Sequence, residues 1–169
     1  MENKLLMGYV LGFIDAEASF SVSIKLQKGL AYGIRLDPVF SITQQEKAPL
    51  EIIRQVIGVG RIIRKPGQRH LYLLVIDSMK DLREKLIPFL NRYENVLTAK
   101  KRNYELFREI VEKMLRKEHR KPETLKQLVK KAYLLSNLSS KAYRKRRLQE
   151  ILSIIDYYCS KRRDSPGER

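Results

Sequence analysis

Cysteine and histidine are scarce in this 169-residue chain. The single cysteine, Cys159, excludes an internal disulfide framework and any cysteine-based zinc site. The two histidines, His70 and His119, argue against a histidine metal cluster and against the multi-histidine nuclease designs. No uncharged apolar run has the length of a membrane span, so no membrane association is expected. The opening Met1-Glu2-Asn3-Lys4 lacks the charged-then-apolar layout of a secretory signal, and the chain is expected to be soluble and intracellular, not secreted. Acidic residues are outnumbered: 35 Lys and Arg against 19 Asp and Glu give a net charge of +16 and a pI near 10.0. Such a balance asks for a polyanionic partner. Hydrophobic residues make up 43 % of the chain, enough for a core, which excludes a disordered basic tail. The basic residues recur from Lys25 to Arg163 between apolar positions. That distribution fits a folded surface tracking phosphates better than a single membrane-surface helix.

Residues 4–15 are apolar nearly all round, so a helix there is expected to be buried on most sides. Gly8, Gly12 and Ala16 fall on one face at a spacing of four. Small residues so placed let two helix backbones approach closely. Each helical glycine costs about 1 kcal/mol against alanine, which argues that the approach matters.

The period then changes. Ala18, Phe20, Val22, Ile24 and Leu26 alternate with Ser19, Ser21, Ser23, Lys25 and Gln27, as in a half-buried strand. Lys28 and Gly29 open a turn into a second alternating run, with Ile34, Leu36, Phe40 and Ile42 inward and Arg35, Asp37, Ser41 and Thr43 outward. Pro38 within that run predicts a bulge or an edge. Pro49 begins a short amphipathic helix that Gly58-Val59-Gly60 breaks. Residues 61–65 and 70–76 read as a hairpin around Pro66-Gly67. Ser78 and Asp81 form a capping-box start, and Pro88 is expected to kink or end the helix that follows. Thr98 is expected to cap another helix, and two more are expected over about residues 123–136 and 140–160.

The expected class is α+β: an αββαββα core with a four-stranded antiparallel sheet, plus C-terminal helices. Residues 1–121 would form the core, 122–162 the C-terminal helices of the same domain, and 163–169 a frayed tail. Helices cover the apolar face of the sheet. The other face is polar and basic and suits a DNA major groove.

Against that pattern, residues 10–19, Val-Leu-Gly-Phe-Ile-Asp-Ala-Glu-Ala-Ser, resemble the signature of the LAGLIDADG homing endonucleases. Gly8-Tyr9 before it and Phe20-Ser21-Val22 after it fit as well, and so do residues 40–45, 57–60 and 88–90, the Lys100-Lys101 helix start and the element order. The resemblance covers about the first 115 residues. It departs from the family pattern at three places: Glu17 stands for the usual aspartate, Ala18 for a glycine and Leu11 for the usual alanine.

The resemblance implies a metal-dependent, site-specific double-strand DNA endonuclease of the intron- or intein-homing kind. It would hydrolyse phosphodiesters across the minor groove and work in the cytoplasm or nucleoid of a prokaryote or in an organelle. The implied cofactor is Mg2+ or another divalent ion such as Mn2+, held at Glu17 and Ala16. A carboxylate at a helix C-terminus opposes the helix dipole, so stability alone would not select Glu17, whereas a divalent cation would. Two Glu17 side chains meeting across a dimer would repel, and shared metals would offset that. Without the motif, Glu17 would read as a solvated corner acid. Asp15 would cap or brace the interface. Gln44 would orient water or phosphate, and Lys100 or Lys101 would stabilise developing charge. The spacing leaves both lysines open.

One motif copy supplies half a cleft, so a homodimer on a long pseudo-palindromic site is expected, with Gly8, Leu11, Gly12 and Asp15 at the seam. Alternation onto the exposed face nominates Ser21, Ser23, Lys25, Gln27, Arg35, Asp37, Ser41, Arg61, Arg64, Arg69 and Tyr72 as base readers. Lys141, Arg144, Lys145, Arg146 and Arg147 read as clamps on flanking DNA backbone. Two other readings of the same scaffold stay open: a maturase acting on its own intron RNA, and a non-catalytic DNA-binding protein.

Overall fold

The computed structural model describes residues 2–139 and 144–163. The chain opens with helix α1 (Glu2–Glu17), followed by strands β1 (Ser19–Leu26) and β2 (Ile34–Gln44). Helix α2 (Lys47–Ile57) leads to β3 (Arg61–Lys65) and β4 (Gln68–Ile76). A short α3 (Met79–Asp81) runs through a π-helical turn (Leu82–Leu86) into α4 (Ile87–Arg92). Helices α5 (Lys101–Leu115), α6 (Pro122–Asn137) and α7 (Leu148–Arg163) complete the described chain. This is the expected αββαββα order.

The strands form one antiparallel sheet in the order β1-β2-β4-β3. Because residues opposite one another share a face, the register fixes both faces at once. Phe20 pairs with Phe40 and Phe40 with Ile76, so the even-numbered positions of β1, β2 and β4 turn toward the helices. Ser19, Ser23, Lys25 and Arg35 are exposed on the other side. On the covered face the Phe20 ring lies 5.3 Å from Phe40 and Phe107 and 5.7 Å from Tyr104. Tyr104, Phe107, Ile110 and Val111 recur at helical spacing and are buried, which seats α5 on the sheet. One buried cluster contains these residues together with Leu125, Leu128 and Val129 of α6 and Ile151 and Ile155 of α7.

Local chemistry explains the breaks. Pro38 sits in an unbroken β1–β2 register, opposite Val22, with no bulge. β2 pairs with β4 only from Phe40 to Gln44, so Pro38 occupies a stretch whose other side is an open edge, where a missing N–H is tolerated. Gly58 ends α2 in the left-handed region at φ 86°. Gly60 follows at φ 109°, where an added Cβ would meet Leu74 Cδ1 at 2.9 Å, so glycine is required twice over. The Ser78 side chain accepts from the Asp81 backbone N–H as the cap of α3. Pro88 is the second residue of α4, and the chain widens into the π-helical turn just before it.

Two helix starts differ from expectation. α5 begins at Lys101, and Thr98 does not cap it with its own side chain. α7 begins at Leu148 instead of near residue 140, and residues 140–143 lie outside the described residues. The expected tail over 164–169 lies outside them as well.

Candidate active site and nucleic-acid interface

Helix α1 turns one mainly apolar face inward and another outward. Val10, Leu11 and Ile14 are buried, at 0 %, 3 % and 0 % exposure. Leu5, Leu6 and Tyr9 stand out at 80 %, 41 % and 43 %, and Gly8, Gly12 and Ala16 are exposed between them. No described residue lies within 4 Å of a Cβ built on Gly8 or Gly12. The space those glycines leave is therefore not filled by the described residues. Leu11 was expected at a dimer seam; it packs inside the chain's own core and has no side chain left to offer a partner. The outward positions are Leu5, Gly8, Tyr9 and Gly12, and the exposed leucines and Tyr9 carry no chemistry that the motif pattern had singled out.

The two acids at the end of α1 differ in their partners. Asp15 turns inward to the segment leading into α5. It accepts the Thr98 and Lys100 backbone N–H groups at 2.9 Å each, the Ala99 N–H at 3.1 Å and the Thr98 hydroxyl at 2.7 Å. Burial alone would raise the Asp15 pKa, but these hydrogen bonds outweigh it and hold the carboxyl below its ordinary value. The cap that α5 lacks from its own N-cap residue is thus supplied from α1. Sequence spacing could not show this, because the partners are 83 to 85 residues apart. Glu17 closes α1, is exposed, and has no hydrogen-bond or ion-pair partner among the described residues.

The structure brings the remaining catalytic candidates to this end of the sheet. Ser19, two residues after Glu17, pairs with Ser41, and β2 runs on from there to Gln44 at its tip. Gln44 is half-buried and opposite Tyr72, and its amide has no intrachain hydrogen bond among the described residues. Lys100 is half-buried and tied by its backbone to Asp15, and Lys101 is exposed as the first residue of α5. Among the described residues no three His, Cys, Asp or Glu side chains gather where they could hold a metal. At the end of α1 the chain offers the Glu17 carboxylate, which has no partner among the described residues, beside the Ala16 backbone. That set fits a divalent cation only as a half-site.

The exposed sheet face holds most of the base-reading candidates. Ser21, Ser23, Lys25 and Arg35 are exposed, and Asp37 and Ser41 are half-exposed. Ser21 also donates weakly to the Val39 carbonyl at 3.4 Å. Arg61 lies on the same face and is gripped in bidentate fashion by Asp77 at 2.6 and 2.7 Å. That pairing lowers the Asp77 pKa, chiefly through the Arg61 hydrogen bonds, and raises that of Arg61. Asp77, just beyond the end of β4, was not among the candidates. Arg64 and Tyr72 require correction. They pair with one another, and Tyr72 also with Gln44, in the even-numbered set that faces the helices. Arg64 stacks over the Tyr72 ring at 4.0 Å and donates to the Arg69 carbonyl at 3.1 Å. Arg64 lies three positions after Arg61, an odd step that reverses the face in a strand. Arg69 is exposed on the irregular stretch between the Lys65–Gln68 and Arg64–Tyr72 pairs.

Arg144 also requires correction. Its guanidinium turns inward, donates to the Val22 carbonyl at 3.0 Å and the Ala132 carbonyl at 2.6 Å, and stacks on Tyr133 at 4.6 Å. Burial pushes its pKa down. It satisfies the backbone of β1 and α6 and is not a phosphate clamp. Lys145, Arg146 and Arg147 remain exposed, while Lys141 lies outside the described residues.

Comparison with known proteins bears directly on this constellation. A family model described as LAGLIDADG endonuclease matches residues 10–111. The chain belongs to the LAGLIDADG endonuclease family. The homing endonuclease I-ApeII of Aeropyrum pernix is 50 % identical over 171 aligned residues, spanning 100 % of both chains. The solved structure of the archaeal intron-encoded homing endonuclease I-Vdi141I complexed with DNA superposes with a TM-score of 0.90 at 48 % identity, covering 95 % of this chain and 99 % of that one. The DNA endonuclease I-CreI of Chlamydomonas reinhardtii is 25 % identical over 166 residues, covering 97 % of each chain. Within the LAGLIDADG frame the motif helix is α1, the acid at its end is Glu17, and the polar sheet face follows directly from it. No helix among the described residues is long and apolar enough to cross a membrane.

Proposed function

We propose that this LAGLIDADG protein is a site-specific, double-strand DNA endonuclease that works as a homodimer on a pseudo-palindromic site. The observation that carries the reading is the bare end of α1: an unpartnered Glu17 behind an outward face of Leu5, Gly8, Tyr9 and Gly12 that the chain itself leaves uncovered. A second copy on that face supplies the second Glu17 and doubles the sheet into a surface for two half-sites. The similarity to I-ApeII and to the DNA-bound I-Vdi141I supports the same reading.

Paired Glu17 carboxylates with the Ala16 backbone form an all-oxygen donor set suited to a hard divalent cation, Mg2+ or Mn2+. When bound, such a cation lowers the pKa of an attached water and stabilises charge on the phosphate. The chain's own contribution is positional. Asp15 fixes the Lys100 backbone against the acid end of α1, so that Lys100 or Lys101 faces the cleaved phosphate and stabilises the developing charge. Gln44 has a free amide at the same end of the sheet and orients water or a phosphate oxygen. The net charge of +16 attracts the duplex and makes binding fall steeply with salt. A protein that cuts genomic DNA works inside the cell.

Cleavage of a randomised duplex library by the purified protein, in magnesium and again with EDTA, tests the reading. The expected result is cleavage at a nearly symmetric site, abolished by EDTA and by Glu17→Gln. Binding of DNA or of intron RNA without any cleavage would overturn it in favour of a repressor or a maturase.

A further inference from the structure

At the outer end of the polar sheet face, Lys25 and Arg35 stand directly opposite one another on β1 and β2. Like charges in directly opposite positions destabilise a sheet. Asp37, two residues along β2 on the same face, accepts from both. Its Oδ2 lies 2.7 Å from Lys25 Nζ, and its two oxygens take Arg35 Nε at 2.9 Å and Nη2 at 3.1 Å. Arg35 Nη1 donates to Gln27 Oε1 at 3.1 Å. Burial works to raise the Asp37 pKa, but the hydrogen bonds and charges of Lys25 and Arg35 outweigh it and hold the carboxyl below its usual range. The ionised form of Asp37 is therefore favoured by its two partners.

This arrangement leaves defined groups unspent. An arginine carries five N–H donors, and three of those on Arg35 are engaged by Asp37 and Gln27. One N–H remains on each terminal nitrogen, the two atoms that dock on O6 and N7 of guanine. The Lys25 ammonium keeps two of its three N–H groups. Lys25 is 56 % exposed and Arg35 46 %, while Asp37 between them is 28 % exposed. The cations are outermost and the carboxylate holds them from behind.

We propose that Lys25, Arg35 and Asp37 act as one guanine-recognition unit for the major groove, in which Asp37 is a positioning residue that aims the two cations. The proposal rests on the DNA-endonuclease reading given above. A free lysine or arginine on a basic surface finds phosphate first, because phosphate contacts are the commoner kind. Asp37 changes that balance. It restrains both side chains, and its negative charge repels a phosphate brought beside them. The unit thus contributes discrimination more than affinity.

The test uses the full-length protein, the wild type beside Asp37→Ala and Arg35→Lys. Each is given a randomised duplex library in magnesium, and the cut products are sequenced. Melting temperature and affinity for non-cognate duplex are measured alongside. The wild type is expected to prefer guanine at one or two positions, repeated in both half-sites. Asp37→Ala should flatten that preference by about tenfold or more, leave other positions unchanged, and leave non-cognate affinity the same or higher. Arg35→Lys keeps the charge but loses the fork, and should flatten the same positions. A change in melting temperature with an intact guanine preference would overturn the proposal, reducing Asp37 to a neutraliser of cross-strand repulsion. A site with no guanine preference dependent on Asp37 would overturn it as well, while leaving the endonuclease reading intact. A wild type that cuts nothing would remove both.

Discussion

The two faces of α1 are made of similar residues and have opposite fates. The inward face, Val10, Leu11, Ile14 and Asp15, is finished: its side chains are buried or half-buried, and its acid caps another helix through four hydrogen bonds. The outward face, Leu5, Gly8, Tyr9 and Gly12, is left uncovered by the described residues, and Glu17 at the end of the helix is exposed and has no partner among them. A helix apolar on all sides is stable in water only when both sides are covered. The chain covers one side. The difference therefore locates what the isolated chain lacks, on the helix that also carries the motif acid.

The largest effect is expected from Glu17→Gln. The residue is exposed and has no partner among the described residues, so its replacement should leave the melting temperature unchanged. DNA binding should persist while cleavage falls by roughly 10²–10³-fold or more. A variant that cuts near the wild-type rate would put the active site elsewhere and erase the distinction between the two acids. Gly12→Leu comes next. A side chain at Gly12 meets open space within the chain, and leucine favours helix over glycine by nearly 1 kcal/mol. On the homodimer reading, the folded chain should therefore be as stable as before, yet sediment as a monomer and lose double-strand cleavage. A normal dimer would show that the outward face is covered by something other than a second copy.

Asp15→Ala probes the inward face and should give the reverse profile. Loss of the cap is expected to cost about 1–2 kcal/mol of stability, readable by thermal or urea unfolding. Cleavage should fall less than in Glu17→Gln, because Lys100 is loosened and not removed. Acid dependence supplies a second check. The folded-state pKa of Asp15 lies below its ordinary value of 3.8, so the stabilisation is complete above that value and disappears as pH falls through the lower folded value. The wild type should therefore lose stability on acidification below about 3.8 faster than Asp15→Ala, and the two curves should converge at the acid end.

Much of this was legible in the sequence because it is local. Period two in residues 18–27 and 34–43, the Gly58-Val59-Gly60 break and the Pro66-Gly67 turn each depend on neighbours a few positions away, and the structure follows them. What failed to be legible depends on distance. Asp15 and Thr98 meet across 83 residues, so Thr98 looked like a cap when it is a partner of one. Arg144 looked like a phosphate clamp because it stands in a basic run. Only the fold brings it under the Val22 and Ala132 carbonyls. Arg64 and Tyr72 were misplaced for a local reason: strand parity applied to Arg61 assigns Arg64 to the other face. Leu11 was misassigned because a helix that is apolar all round has no polar side to mark which face turns outward.

The smallest effect is also the sharpest test of the outward face. Gly8 lies in the middle of a helix, exposed, with nothing within 4 Å of a Cβ placed on it. In the isolated chain glycine there is a pure cost, and alanine should stabilise the helix by about 0.5–1 kcal/mol. If a second α1 packs closely on this face, the added methyl must be fitted between two backbones, and part of that gain is lost in the dimer. Gly8→Ala should therefore raise stability when measured at concentrations where the chain is monomeric, and raise it less, or lower it, where the dimer prevails. An equal gain at both concentrations would mean that Gly8 is not at a close helix contact, and would move the seam toward Gly12 and the end of the helix that carries Glu17.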